Sequence, residues 1–303
     1  MNKYTIRKLI VAAGLVAVVG GAGFGVYKTY SFISNSIEQK KAENIRIEEE
    51  KARIAKEEEA KRLEEEEKAR KKIGVGPNGE AYAYDAKLVW DKLSKYDYSN
   101  NGEKIAFLTF DDGPSTTVTP KILDTLKKHD VKGTFFIVGS QLENDASKEL
   151  LKQAYDEGHA IANHSYSHDY KKLYPNRTLN LANFMDDINK TEKAIQGVLG
   201  ENFSTNVVRC PGGFMSWKGM DELKTEFESK GMASIDWSSL NGDAEGRKKS
   251  PQELLQRAKS TVEGKELAVI LMHDTYGKEN TAAMLDELIT YLKSEGYSFK
   301  TLV

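Results

Sequence analysis

Cysteine is almost absent from this 303-residue chain. Cys210 stands alone, so neither an intrachain disulfide nor a cysteine-built zinc knuckle is available. An excess of one charge is missing too. Lysine and arginine total 44 and aspartate and glutamate 46, a net charge of −2. A nucleic-acid-binding domain usually carries a strongly basic face, and no nucleic-acid partner is expected here. Histidine is scarce at five residues, few enough to weigh one by one. Apolar stretches are short everywhere except near the start.

What is present is strongly segmented. Residues 1–8 carry Lys3, Arg7 and Lys8 and read as a cytoplasmic tail. Residues 9–27 are uncharged and apolar. As a helix they reach about 28 Å against a hydrocarbon core of about 30 Å, which predicts a transmembrane anchor. A cleaved signal peptide is the competing reading, but its apolar region runs about 7–15 residues before a small-residue site, and no clear site precedes Lys28. The basic flank predicts a cytoplasmic N-terminus with the rest of the chain outside the membrane.

Residues 28–73 read as a charged helical stalk. Within 38–72 there are twelve glutamates and twelve lysines or arginines, including Glu57–Lys61 and Glu64–Lys68 four apart, the favourable order on a helix. A solvated spacer is the plain reading and a dimeric coiled coil the sharper one. Ile45, Ile47, Ile54 and Leu63 supply no sustained heptad, which favours the spacer. Gly74-Val-Gly-Pro-Asn-Gly79 then opens a linker over residues 74–102.

From Lys104 onward, apolar runs alternate with helical patterns. Candidate strands are Ile105–Phe110, Gly133–Val138, Ala160–Asn163, Val207–Arg209, Ala233–Asp236, Leu267–Met272 and Tyr297–Leu302. Helical stretches separate them, and Ser250-Pro-Gln-Glu253 is a capping box with proline at the first helical position. This predicts an α/β fold with a mainly parallel sheet, open or closed into a barrel. In either form, sites gather at the C-terminal ends of strands. The chemistry-bearing residues fall there: Asp111 and Asp112, His164, Arg209, Asp236 and His273.

Each group has a plain alternative. Asp111-Asp112-Gly113-Pro114 could be a turn, or two carboxylates that tolerate each other only with a cation or proton between them. The Asp-x-Asp-Gly arrangement of some phosphatases has a residue between the acids, which is absent here. His164-Ser-Tyr-Ser-His168 spaces two imidazoles by four; on a helix they would share a face and a metal. With one aspartate they make a two-histidine, one-carboxylate site that leaves positions open for water and substrate. His129 and His159 read as structural. Arg209-Cys-Pro-Gly-Gly213 is a cation followed by a stiff turn, and Cys210 reads as a packed small hydrophobe. His273, oriented by a carboxylate, suits acid or base work near neutral pH; Asp236 and Asp274 compete to be that carboxylate.

Taken together, Thr109-Phe-Asp-Asp-Gly-Pro114, His164-Ser-x-x-His168, Arg209-x-Pro-x-Gly213, Asp236-Trp237 and Leu271-x-His273 resemble the NodB-homology polysaccharide deacetylases, carbohydrate esterase family 4. The resemblance spans residues 103–303 as a catalytic domain. It implies a distorted (β/α) barrel with about seven βα units. It also implies a divalent metal, usually zinc with cobalt, manganese or nickel as alternatives, held by Asp112, His164 and His168. Asp111 would be the general base and His273 the acid that protonates the leaving amine. Asp236 would support His273, and Arg209 would tether Asp111. The backbone N–H of Gly212 would help hold the oxyanion, and Trp237 and Leu271 would line the acetyl pocket. The implied reaction is removal of N-acetyl groups from a cell-wall polysaccharide, most simply peptidoglycan N-acetylglucosamine, by an enzyme facing the cell wall. An O-acetyl esterase, or a glycan-binding protein that keeps the fold, are the alternatives. One position departs from the family: Gly212 stands where an aromatic residue is usual, so the ring walling the groove is lost, with Trp217 the nearest substitute. Oligomeric state is open, with a stalk dimer as one form.

Overall fold

The computed structural model describes residues 23–69 and 72–303, which fall into two units divided after Ala69. In the first unit, helix α1 runs Gly23–Ala69. Its described side chains are almost all exposed, Ile45 at 59% and Ile54 at 45% among them, and Arg53 pairs with Glu50 at 2.8 Å. These are features of a solvated helix carrying its own ion pairs. The anchor expected at 9–27 lies outside the described residues up to residue 22. Among the described residues no helix is long and apolar enough to cross a membrane.

The second unit opens with β1 (Lys72–Ile73), β2 (Ala83–Tyr84) and α2 (Ala86–Ser94). This corrects the expected linker at 74–102. Asp85 caps α2 by accepting from Lys87 N, and the helix buries Ala86, Val89 and Leu93 against the sheet. The segment reads as a linker because its elements are two to nine residues long and rich in turn formers.

The βα repeat follows: β3 (Ile105–Asp111), α3 (Thr119–His129), β4 (Thr134–Ile137), α4 (Asp145–Asp156), β5 (Ala160–Asn163), the short α5 (Tyr170–Leu173), α6 (Leu181–Leu199), β6 (Phe203–Ser204), β7 (Val207–Val208), α7 (Met220–Lys230), β8 (Ala233–Ser234), β9 (Ser239–Leu240), α8 (Pro251–Val262), β10 (Leu267–His273), α9 (Glu279–Ser294), β11 (Ser298–Phe299) and β12 (Thr301–Leu302). The capping box at Ser250 and Glu253 forms as the sequence predicts. Gly231 ends α7 at φ +68°, a conformation that favours glycine.

The main sheet has eight strands in the order β8-β7-β5-β4-β3-β10-β9, with β11 also on β3. Every pair is parallel. The first half of β3 pairs with β11 and its second half with β4. Among the described residues β8 and β9 are edges that do not pair with each other, so the sheet curls into a half-barrel. The two-residue β9 was not anticipated, and the expected last strand divides into β11 and β12.

Strand pleat sets what each face carries. Ala106, Leu108 and Phe110 of β3 and Ala268, Ile270 and Met272 of β10 pack under α3, α8 and α9. Ile105 and Phe107, with Leu267 and Val269, face the other way, onto Phe136 and Val89. By the same alternation Thr109 and Asp111, and Leu271 and His273, continue that inner face. It therefore turns from apolar to polar at the C-terminal strand ends. Register pairs His273 with Asp111 across β10 and β3.

Candidate active site

Arg209 organises the polar end of the inner face. It is fully buried, at 0% exposure, so each N–H needs a partner. Nη1 donates to Asp111 Oδ1 at 2.7 Å and Thr109 Oγ1 at 2.9 Å, Nε to the Ile235 carbonyl at 2.8 Å, and Nη2 to the Asp236 carbonyl at 3.2 Å. The guanidinium lies 4.1 Å from the Phe136 ring centroid. Its own backbone carbonyl stands 2.7 Å from His164 Nδ1. One residue thus fixes Asp111 by its side chain and His164 by its main chain.

Asp112 diverges from Asp111 because its φ is +72°, a left-handed conformation that aspartate tolerates. The segment from His164 to His168 is a loop, which corrects the helical face assumed from the spacing. Ser165 (φ +65°) and His168 (φ +49°) are both left-handed. The loop brings the two imidazole centroids to 5.0 Å. With Nδ1–H of His164 donating to the Arg209 carbonyl, its Nε2 keeps a lone pair toward Asp112.

Asp112 Oδ1 lies 3.4 Å from Nε2 of His164 and 3.4 Å from Nε2 of His168. It is buried with no hydrogen-bond partner, and one donor atom from each of the three residues falls within 4.8 Å of the others. Donors at zinc-type bond lengths of about 2.0–2.1 Å in a tetrahedron stand about 3.3 Å apart. The residues therefore fit a small divalent cation. Electrostatics agree. Burial opposes charge on Asp112, but the imidazoles outweigh it and hold the carboxyl well below the usual carboxylate range. Burial also opposes charge on His164, yet Asp111 and Asp112 raise its pKa. Burial and then His164 lower that of His168. The trio attracts positive charge, as a proton on His164 or as a cation shared by all three.

Opposite stands His273, whose partner corrects the expectation. Asp236 does not hold it. The Asp236 carboxylate accepts from the backbone N–H of Phe214 at 2.8 Å and of Met215 at 3.3 Å, pinning the loop after Gly213. Asp274 does not hold it either: its Oδ2 accepts from Thr119 Oγ1 at 2.6 Å, and a Cβ on Gly113 would come within 2.1 Å of that oxygen. The partner is Asp243, with Oδ1 2.7 Å from His273 Nδ1 and Oδ2 accepting from the His273 backbone N–H at 3.0 Å and Thr281 Oγ1 at 2.7 Å. Burial alone would lower the His273 pKa, but the hydrogen bond and charge of Asp243 raise it to about 9. Asp243 follows Asn241-Gly242 just after β9. A carboxylate after a strand and a turn-forming pair was the available signal.

One cavity of about 320 Å³ is lined by Asp111, Asp112, His164, His168, Gly212, Trp237, Asp243, Leu271, His273 and Tyr170. Every expected site residue lines it except Arg209, which acts from beneath, and Asp236. Gly212 has φ +77°, and a Cβ there would lie 3.0 Å from Trp217, so the indole fills the space beside it. Trp217 stacks on Tyr174 at 4.2 Å and 6° and touches Tyr170 at 5.3 Å. The remaining histidines are structural: His129 Nε2 meets Asp286 at 2.7 Å, and buried His159 accepts from Gly133 N–H. Cys210 is buried and its thiol pKa is pushed up by desolvation, as befits a packed side chain.

Residues 98–225 match the family described as polysaccharide deacetylase. The chain is 35% identical over 211 residues to the peptidoglycan-N-acetylglucosamine deacetylase PgdA of Listeria monocytogenes, covering 70% of this chain but only 40% of that protein's length. It is 34% identical to the peptidoglycan-N-acetylmuramic acid deacetylase PdaA of Bacillus subtilis, covering 69% of this chain and 75% of PdaA. The solved structure of a Streptococcus mutans CE4 esterase superposes with a TM-score of 0.70 at 36% identity, over 76% of this chain and 96% of that one.

Proposed function

Because this chain belongs to the polysaccharide deacetylase family of NodB homologues, carbohydrate esterase family 4, we propose that it is a metal-dependent hydrolase that removes N-acetyl groups from cell-wall polysaccharide, with peptidoglycan N-acetylglucosamine as substrate. One observation carries the reading. Nε2 of His164 and Nε2 of His168 both face Oδ1 of Asp112, a buried oxygen with no hydrogen-bond partner, in the same cavity as Asp111 and His273.

Asp112, His164 and His168 hold the cation in this reading, with zinc best suited to two imidazoles and a carboxylate. A divalent cation there supplies Lewis acidity, lowering the pKa of a water and offsetting charge on the carbonyl oxygen. Asp111 takes a proton on Oδ2, since Oδ1 is committed to Arg209. His273 carries a proton on Nε2, kept charged by Asp243 at Nδ1, and delivers it to the departing nitrogen; a positioned acid of this kind contributes about 10²–10⁴-fold. The Gly212 N–H donates to the developing oxyanion. Leu271 and Trp237 exclude water around the acetyl methyl. The apolar, basic-flanked residues 1–27 and the charged stalk support a membrane-tethered enzyme facing the wall.

The test is acetate release from N-acetylated wall glycan, and from O-acetylated xylan in parallel, with zinc or cobalt added back after chelation. Wild type should release acetate from the N-acetylated glycan, while Asp111→Asn and His168→Ala lose nearly all turnover. Release only from the O-acetylated polymer would make the protein an esterase, and glycan binding by the metal-loaded protein without release from either would make it a non-catalytic glycan-binding protein.

A further inference from the structure

Asp187, in the middle of α6, is charged, fully buried at 0% exposure and outside the catalytic cavity. Its Oδ2 accepts from the Tyr166 backbone N–H at 3.0 Å, the Ser167 backbone N–H at 2.7 Å and Ser167 Oγ at 2.8 Å. Its Oδ1 pairs with Lys172 on α5. All three donors to Oδ2 lie in the loop between His164 and His168. The carbonyls of that loop are held separately, Ser165 by the Gly139 N–H at 3.0 Å and Tyr166 by the Ser140 N–H at 3.1 Å.

The loop needs such a hold. Ser165 and His168 are both left-handed non-glycine residues, a strained conformation that persists only where the surroundings over-determine it. An unpaired buried backbone N–H is also unfavourable. A carboxylate can accept several N–H bonds at once, and Lys172 offsets its charge. No catalytic contact accounts for a buried charge at this point of α6.

We propose that Asp187 is a positioning residue for the cation site: it fixes the turn that aims Nε2 of His168 at Asp112, and so sets metal affinity. The inference rests on the metal-site reading above. Partners that orient metal ligands from behind typically change affinity 10–100-fold when removed.

The experiment titrates the chelator-stripped protein with Zn²⁺ and with Co²⁺, following heat of binding and the cobalt absorption band, and records melting of each metal-free variant. Asp187→Ala should weaken Zn²⁺ 10–100-fold and change the cobalt band. Asp187→Asn, which keeps one acceptor oxygen, should recover part of that loss. Thr191→Val removes a hydroxyl bonded to the Asp187 carbonyl at 3.0 Å; it should lower melting temperature and leave affinity unchanged. Zn²⁺ affinity within twofold of wild type in a folded Asp187→Ala overturns the proposal, as does an equal loss in Thr191→Val. Should Asp187→Ala fail to fold, unchanged affinity in Asp187→Asn overturns it. Wild type that binds no Zn²⁺ overturns the metal site itself, which separates failure of that reading from failure of this one.

Discussion

Asp243 and His273 form a closed pair: one carboxylate oxygen meets Nδ1 of the ring at 2.7 Å, and the other meets the backbone N–H of the same residue at 3.0 Å. Both the tautomer and the orientation of the imidazole are thereby set. Only Nε2 is left to face substrate.

The first prediction concerns pH. The His273 pKa, ordinarily near 6.5, is raised to about 9 by Asp243. A raised histidine pKa means the proton is held below that value and lost as pH climbs through it. Activity that needs protonated His273 therefore falls on the alkaline side. In Asp243→Asn the alkaline limb of kcat/KM should move toward acid by one unit or more. In Asp236→Asn it should stay in place. A limb that does not move in the first variant removes His273 from the acid role.

The second concerns Arg209. Removing one partner of a buried ion pair strands the other, at a cost of about 3–5 kcal/mol. Arg209→Met should lose stability of that order in urea denaturation, because Asp111, 2% exposed, loses the guanidinium that meets its Oδ1. Arg209→Lys retains charge but cannot span Asp111, Thr109 and the two carbonyls together. It should fold better than the methionine variant and still lose most turnover. Equal stability of wild type and Arg209→Met would contradict the tether.

The third concerns the aromatic wall of the cavity. Tyr170 is 44% exposed, lines the cavity and rests against Trp217. An aromatic face contributes about 0.5–1.5 kcal/mol beyond simple burial, so Tyr170→Ala should raise KM for a glycan oligomer by up to about tenfold. Hydrolysis of a small acetylated reporter that does not reach the wall should keep its kcat. A parallel drop on both substrates would assign Tyr170 to support of the His164–His168 loop instead, next to His168.

Much of this was legible before any coordinates. The buried central strands read directly because both faces of a parallel strand are covered, so Leu267–Met272 is an unbroken apolar run and Ile105–Phe110 is broken only by Thr109. Polar residues at their ends marked the rim. Asp243 was hidden because it follows a two-residue strand, Ser239–Leu240, too short to show any period. Sequence alone leaves Asp236 and Asp274 competing for His273 and the family resemblance assigns Asp236, yet the Asp236 carboxylate is used by the amides of Phe214 and Met215. Helix α2 was hidden by short elements and a nearby glycine-rich turn. The spacing of His164 and His168 fits a helix equally well; the left-handed Ser165 and His168, and the bonds to this loop from Asp187, Gly139 and Ser140, are invisible to a periodicity argument.

The alternation along β3 carries a last consequence. Phe107, Thr109 and Asp111 share one side of the strand, and Ala106, Leu108 and Phe110 the other. Deleting a single residue upstream of Asp111 would exchange the two sides. Asp111 would then point into the apolar layer beneath α3 and α9, Asp112 would fall at its place, and the Phe110 ring would take that of Thr109 beside the guanidinium. Chemistry and folding are thus written in the same frame, and neither can slip by one step without the other.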